Sequence, residues 1–259
     1  THDYVLICTN RGKVYWLKVY EIPEAGRAAR GKAIVNLVKL SPGESPAAIL
    51  PVSGFEEGKY VVMSTQKGVV KKTDLSAYSH PRADGIIATV IDPGDSLIDA
   101  KLTDGNKEIF LGTKNGLAIR FNEQDVRSMG RVSRGVRGMS LAKDDEVVGM
   151  EILSGDATIL TITEHGYGKR TQSSEYKIQG RGGKGIITIK TSERNGAVVG
   201  IKQVTNEDNL MMITSTGKII RIAVSKLSVI GRNTQGVRLI NIDKDEKVVG
   251  VARLAEKEE

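Results

Sequence analysis

The side chains able to do covalent or metal chemistry are few and poorly spaced for it. His2, His80 and His165 lie 78 and 85 residues apart, and Cys8 is the only cysteine among 259 residues. A nucleophile needs a base and an orienting acid that converge on it, and a metal centre needs clustered ligands. Neither pattern is present. Gly180-Arg181-Gly182-Gly183-Lys184-Gly185 formally satisfies G-x-G-x-x-G, but Ile186-Ile187-Thr188-Ile189 reads as a strand where a dinucleotide fold requires a helix. Gly185 stands where a P-loop needs Ser or Thr. The expectation is a chain with no catalytic residue, metal, cofactor or small-molecule substrate of its own.

What remains is positive charge, and it is unevenly placed. Lys and Arg number 38 against 31 Asp and Glu, a net +7. Five windows, 23–32, 76–85, 127–138, 174–185 and 226–238, hold fourteen bases and three acids, leaving 24 bases and 28 acids elsewhere. Arginine beside glycine lets both guanidinium and backbone N–H approach a phosphate, so such windows have the footprint of a polyanion site. Their candidate contacts are Arg27, Arg30, Lys32, Arg131, Arg134, Arg137, Arg181, Lys184, Arg232 and Arg238. A second set, Lys18, Lys71, Lys72, Arg120, Lys169, Arg170 and Arg221, recurs a few residues after a glycine and suggests a basic track at one height. Readers of single strands stack bases on aromatics, and only Tyr78 and Tyr176 interrupt these windows. No recognition helix is visible. Double-stranded DNA held by its backbone and bent is the expected partner.

The elements that position these bases are repeated. Thr9-Gly12, Thr65-Gly68, Thr113-Gly116, Thr163-Gly166 and Thr214-Gly217 place a Thr-x-x-Gly turn every 48 to 56 residues, each after an apolar run. Strands flanking a turn whose glycine takes positive φ predict a hairpin. Further on, a second glycine and strand are expected at Gly31-Lys-Ala-Ile-Val, Gly85-Ile-Ile-Ala, Gly138-Met-Ser-Leu, Gly185-Ile-Ile-Thr and Gly236-Val-Arg-Leu. A last strand is expected near Ala47, Ser96, Val147, Val198 and Val248. Helical periodicity is scarce. The reading is all-β: one propeller-like ring of about five four-stranded blades, with repeats at 1–52, 53–103, 104–153, 154–204 and 205–254 and an acidic tail at 255–259. With Trp16 the only tryptophan, no Trp-Asp dipeptide recurs, and the kelch pattern is missing. No apolar stretch reaches the roughly 18 residues that a membrane helix needs, and a lone Cys8 suits a reducing cytoplasm.

Thr9-Asn-Arg-Gly-Lys-Val-Tyr, the stretch from Lys18 to Leu37, Gly166-Tyr-Gly-Lys-Arg-Thr and Gly231-Arg-Asn-Thr-Gln-Gly-Val together resemble the C-terminal domain of DNA gyrase A, and less closely that of topoisomerase IV. The resemblance covers essentially the whole chain. It implies a β-pinwheel, a strand-swapped relative of the propeller, of five blades here and six in the intact protein. It also implies a non-catalytic, nucleoid-associated part of an ATP-dependent topoisomerase that wraps DNA to support negative supercoiling, with the rest of gyrase A and the gyrase B protein as partners. The family's basic box, Gln-Arg-Arg-Gly-Gly-Lys-Gly, is approximated by Gln179-Gly180-Arg181-Gly182-Gly183-Lys184-Gly185, with Gly180 in place of one arginine. The start at Thr1 favours a fragment lacking the box-bearing repeat over a substitute box at 179–185. A protein-interaction ring, with charge serving solubility, is the alternative of another class, and a hydrolase-type propeller would need convergent carboxylates that the repeats do not supply.

Overall fold

Each Thr-x-x-Gly element folds for the same local reason. The glycine N–H donates to the threonine carbonyl at 2.9–3.0 Å in all five turns. The N–H after the glycine donates to the threonine Oγ1 in four of them, from Lys13, Val69, Leu117 and Lys218 at 3.2–3.3 Å. The glycines hold φ of 75° to 83°, a region that side chains with a Cβ avoid. Threonine thus satisfies two donors, and glycine supplies the reversal.

The computed structural model describes residues 3–24, 33–155, 157–243 and 245–254. The first repeat forms β1 (Tyr4–Thr9), β2 (Lys13–Lys18) and β3 (Pro46–Val52). The second forms β4 (Tyr60–Thr65), β5 (Val69–Asp74), β6 (Ile86–Ile87) and β7 (Leu97–Thr103). The third forms β8 (Glu108–Thr113), β9 (Leu117–Asn122), β10 (Val136–Arg137) and β11 (Val147–Leu153). The fourth forms β12 (Thr158–Thr163), β13 (Tyr167–Gln172), β14 (Ile186–Ile187) and β15 (Val198–Val204). The fifth forms β16 (Asn209–Thr214), β17 (Ile219–Ala223), β18 (Val237–Arg238) and β19 (Val248–Leu254). Among the described residues the only helices are single 3₁₀ turns, and no helix is long and apolar enough to cross a membrane.

Repeat and sheet do not coincide. The sheets run β3-β1-β2-β6, β10-β5-β4-β7, β11-β8-β9-β14, β15-β12-β13-β18 and β17-β16-β19. The two-residue strand of each of repeats two to five is donated to the hairpin of the repeat before it, which is the strand exchange that the pinwheel resemblance implies. The turn glycine makes this junction. Gly12 O accepts from Ala88 and Thr89 N–H, Gly116 O from Thr188 and Ile189, and Gly166 O from Leu239 and Ile240, at 2.8–3.3 Å. Among the described residues four sheets have four strands, and the fifth has three.

Two expected strands fall elsewhere. In the first repeat Gly31 and Lys32 lie outside the described residues, and Ile34–Asn36 is a 3₁₀ turn rather than a strand. Its N–H groups bond locally, Asn36 to Ala33 O and Leu37 to Ile34 O, so they need no neighbouring edge. In the third repeat the strand is Val136–Arg137 after Gly135, not Gly138-Met-Ser-Leu. Gly135 is the glycine that crosses β5, where an added Cβ would stand 2.4 Å from Val70 O.

The chain forms two compact units, 1–106 with 126–137, and 107–125 with 138–259. In the first, Leu6, Cys8, Val14, Leu50, Val61, Met63, Tyr78 and Leu97 pack one core. Burial pushes the Cys8 thiol up to about 12. In the second unit, Phe110, Leu153, Ile159, Tyr176, Val198 and Ile201 pack one cluster, and Leu160, Ile162, Leu210, Met212 and Val248 another. In the third repeat the first strand of the hairpin is covered on both faces. Ile109, Phe110 and Leu111 in β8 are all fully buried, which explains a continuous apolar run where a one-sided strand would alternate.

The double role of the turn glycine is testable. An added Cβ at Gly116 would sit 2.2 Å from Ile189 O at a φ of +82°, whereas Gly58, at +75°, has nothing within 4 Å. Gly58→Ala therefore carries only backbone strain, about 1 kcal/mol. Gly116→Ala adds the loss of the junction, so its melting temperature should fall at least about 4 °C further. Equal shifts in a thermal melt would show that the carbonyl junction contributes nothing.

Candidate nucleic-acid interface

The predicted bases divide into two groups by where the strands put them. The track expected after each hairpin glycine is mostly interior, which corrects that expectation. Lys71 and Lys169, both three residues after the turn glycine, are each 1% exposed, and Lys72 and Arg170 are 6% and 5% exposed. Position three faces the sheet interior, where other repeats place Tyr15 and Ile119. Lys71 Nζ donates to Ala88 O at 2.6 Å and to Arg131 O. Lys169 Nζ donates to Gly231 O at 2.6 Å, to Thr234 Oγ1 at 3.2 Å and to Arg232 O. Each buried ammonium holds the carbonyls of an arginine loop supplied by the following repeat. Burial pushes both lysines down to about 8.

The other members of this set are also committed to the protein. Arg170 donates from Nε to Leu227 O at 2.9 Å and from Nη1 to Asn206 Oδ1 at 2.7 Å, and Lys72 lies 5.2 Å from the Tyr60 ring centroid. Half-buried Arg120 pairs with Glu108 at 2.5 Å and donates to the carbonyls of Ser173 and Tyr176. Lys18 stands 5.4 Å from the Tyr20 ring, and a hydrogen bond with that phenol raises its pKa. Arg221 is exposed, on β17.

The window residues are placed differently. Arg27, Arg30 and Lys32 lie outside the described residues. Arg134, Arg137, Arg181, Lys184 and Arg238 are exposed, and Arg131 and Arg232 are half-buried. Each window must leave its own sheet to reach the strand it donates, so its side chains cannot all join a core. Arg134 meets Asp92, and Arg232 N–H donates to Glu175 Oε2 at 3.1 Å. Among the described residues Arg131, Lys184, Lys226 and Arg238 form no ion pair with a carboxylate.

At the hairpin-turn end Arg11 and Lys67 donate to the carbonyls of Pro42 and Pro93, and three other lysines are paired with carboxylates. Lys114 pairs with Glu146 at 3.2 Å, Lys218 with Asp243 at 2.7 Å and Glu246 at 3.0 Å, and Lys247 with Glu164 at 2.7 Å. Hydrogen bonds from Thr214, Thr216 and Lys218 hold the Glu246 carboxyl down to about 2. Among the described residues, Arg131, Lys184 and Arg238 in the windows thus carry charge that no carboxylate offsets, unlike these three lysines, and such charge attracts a polyanion.

The box-like segment is an ordered loop. Gln179 N–H donates to Arg120 O at 2.8 Å, Gly182 N–H to Gly138 O at 2.6 Å, and Ser140 N–H to Gly183 O at 2.9 Å. Gly182 and Gly185 hold φ of 82° and 76°, and Gly180 has open space around it. With the loop pinned by its backbone, Arg181 and Lys184 project outward, and Arg181 Nε donates to Asp125 O at 2.9 Å. Sequence reasoning passed over Arg127, Lys177 and Lys190, which are exposed in or beside the same windows. No group of three or more His, Cys, Asp or Glu able to hold a metal occurs among the described residues.

A family model described as DNA gyrase C-terminal domain, beta-propeller, matches residues 3–53, 59–104, 107–154, 157–205 and 208–255. Over 256 residues the chain is 52% identical to the A-type subunit of DNA gyrase from Salmonella typhimurium, covering 99% of this chain and 29% of that protein. It is 49% identical to the corresponding gyrase protein of Escherichia coli K12, with the same coverage. The chain thus spans less than a third of the length of these curated relatives. Among solved structures it is similar to the C-terminal domain of DNA topoisomerase IV, at a TM-score of 0.89 and 26% identity, covering 98% of this chain and 79% of that one. It is also similar to a DNA gyrase A C-terminal domain, at a TM-score of 0.85 and 26% identity, covering 98% and 83%.

The buried lysines give a prediction with a sign. Lys71→Met or Lys169→Met leaves loop carbonyls without their donor, which costs about 1–3 kcal/mol each. The folded pKa of about 8 lies below the ordinary 10.5. The unfolded chain therefore holds more protons between these values, and the cost of burying the charge, complete below pH 8, is relieved as pH rises toward 10.5. Denaturant titrations should show the stability gap between wild type and Lys169→Met widening from pH 7 to pH 10. A constant or narrowing gap would mean that the ammonium is not desolvated there.

Proposed function

The chain belongs to the DNA gyrase C-terminal domain family, and on that premise we propose that it is a non-catalytic accessory domain that binds double-stranded DNA and wraps it along its exposed arginine windows. Its five repeats act as one wrapping domain in a bacterial, cytoplasmic type II topoisomerase, with the remainder of gyrase A and the gyrase B protein as partners and negative supercoiling as the outcome. One observation carries the reading: the windows hold Arg131, Lys184 and Arg238 with no ion pair to a carboxylate among the described residues, whereas Lys114, Lys218 and Lys247 are already paired.

The chemistry follows from the groups present. Guanidinium and ammonium neutralise phosphates and release counterions, which supplies affinity without base readout. Bending a site of 20–30 base pairs costs on the order of 1–6 kcal/mol, so contacts must be spread over several loops to offset it. Repeated windows on repeated sheets meet that requirement. The gyrase reading is supported by identities of 52% and 49% to gyrase A proteins, while the solved topoisomerase IV and gyrase A domains are both 26% identical and do not separate the two.

Duplex DNA should bind with little sequence preference, and log affinity should fall with log salt by about 0.9 per phosphate neutralised. Replacing Arg131, Arg134 and Arg137 together should weaken binding more than replacing Arg82, because that window holds four bases and no acid. Melting should move little, since Arg134 and Arg137 are exposed, Arg131 takes the Lys71 bond through its backbone carbonyl, and surface substitutions usually stay within about 0.5 kcal/mol. Fluorescence anisotropy checks both expectations. A flat salt response, or equal losses from the two variants, would overturn the reading.

A further inference from the structure

The motif Gly166-Tyr167-Gly168-Lys169-Arg170 contains one residue that neither the fold nor the arginine windows explain. Tyr167 opens β13, and its register partner on the donated strand is Arg238. The other receiving strands put Lys13, Val69 and Leu117 at this place, opposite Ile87, Arg137 and Ile187. Only in this sheet does an aromatic side chain face the donated strand at that register.

Two guanidinium groups converge on the phenol. Arg238 donates to Tyr167 Oη from Nη2 at 2.8 Å and from Nε at 3.3 Å, and Arg194 donates from Nε at 3.4 Å. Both also lie against the ring, with Cζ 5.1 Å from its centroid for Arg194 and 5.2 Å for Arg238. Tyr167 is only 5% exposed, whereas Arg194 and Arg238 are exposed. Arg238 Nη1 also donates to Asn241 Oδ1, at 3.4 Å. No carboxylate pairs with either guanidinium among the described residues. Two like charges sharing one neutral oxygen repel each other, and a bridging anion converts that repulsion into attraction for both. Hydrogen bonds from Arg194 and then Arg238 lower the phenol pKa, in keeping with an excess of positive charge at this point.

We propose that Arg194 and Arg238, held side by side on Tyr167, form a built phosphodiester-binding fork that grips one backbone phosphate of duplex DNA. Arg194 lies outside every arginine-rich window, so charge counting along the chain does not find it. Tyr167 is a positioning residue: its ring and oxygen fix two flexible side chains before the phosphate arrives, which lowers the ordering cost of binding. The inference rests on the DNA-binding reading above.

The test compares duplex binding across salt for the wild-type chain, Arg194→Met/Arg238→Met, Tyr167→Phe, and a control, Lys114→Met/Lys247→Met, which removes two charges already paired with carboxylates. Loss of the fork should weaken binding on the order of tenfold or more and reduce the log–log salt slope by about 0.9. Tyr167→Phe keeps the ring and loses the acceptor, so it should weaken binding while leaving the slope in place. The control should change neither. Wild-type affinity and slope in the fork variant would overturn the proposal, as would an equal loss in the control, which would reduce the effect to net charge. A wild-type chain that fails to bind duplex at all would instead overturn the DNA-binding reading and the fork with it.

Discussion

The structure depends on one small junction, the peptide carbonyl of the hairpin-turn glycine. Positive φ lets the turn reverse, and the absence of a Cβ lets the carbonyl take two N–H groups of the following repeat at Gly12, Gly116 and Gly166. Three of the four sheets that receive a donated strand are joined to the next repeat in this way. A repeat that lends a strand cannot finish its own sheet alone. Stability then becomes a property of neighbouring repeats, as in other repeat architectures.

Donation also creates the surface that matters. To hand over two residues, the chain must leave one hairpin and travel to another, and this travelling segment has too little covering structure to be apolar. Most of its bases remain exposed while its backbone is tied down, by Lys71 at 131, by Lys169 at 231 and 232, and by Ser140 at 182 and 183. The buried ammonium groups serve this surface without being on it. They take up loop carbonyls from beneath and so fix the segment that carries Arg131 or Arg232. A site that binds a stiff polyanion gains from such pre-ordering, because less entropy is lost when the partner arrives.

Much of this was legible in the residues. The Thr-x-x-Gly spacing located all five hairpins, since a threonine hydroxyl and a positive-φ glycine are local requirements. The windows were legible because charge segregation is visible in composition. What the sequence hid was depth. Lys71 and Lys169 read as surface charges, and only the pairing of β4–β5 and β12–β13 with donated strands shows that position three faces inward. Gly138 masked Gly135 because two glycines three apart give the same pattern, and the choice is made by Val70 across the sheet. Arg194 and Tyr167 lie 27 residues apart in sequence, and nothing local joins them.

The central claim is that DNA is held by the window bases and not by the carboxylate-paired lysines of the hairpin turns, Lys114, Lys218 and Lys247. Chemical modification of lysine and arginine, with and without duplex DNA and read by mass spectrometry, tests it in one experiment. The account predicts DNA-dependent protection of Arg131, Arg137, Arg181, Lys184 and Arg238, unchanged reactivity at Lys114, Lys218 and Lys247, and little reactivity at Lys71 and Lys169 in either state. Protection concentrated at Lys114, Lys218 and Lys247, with the windows still reactive, would contradict it.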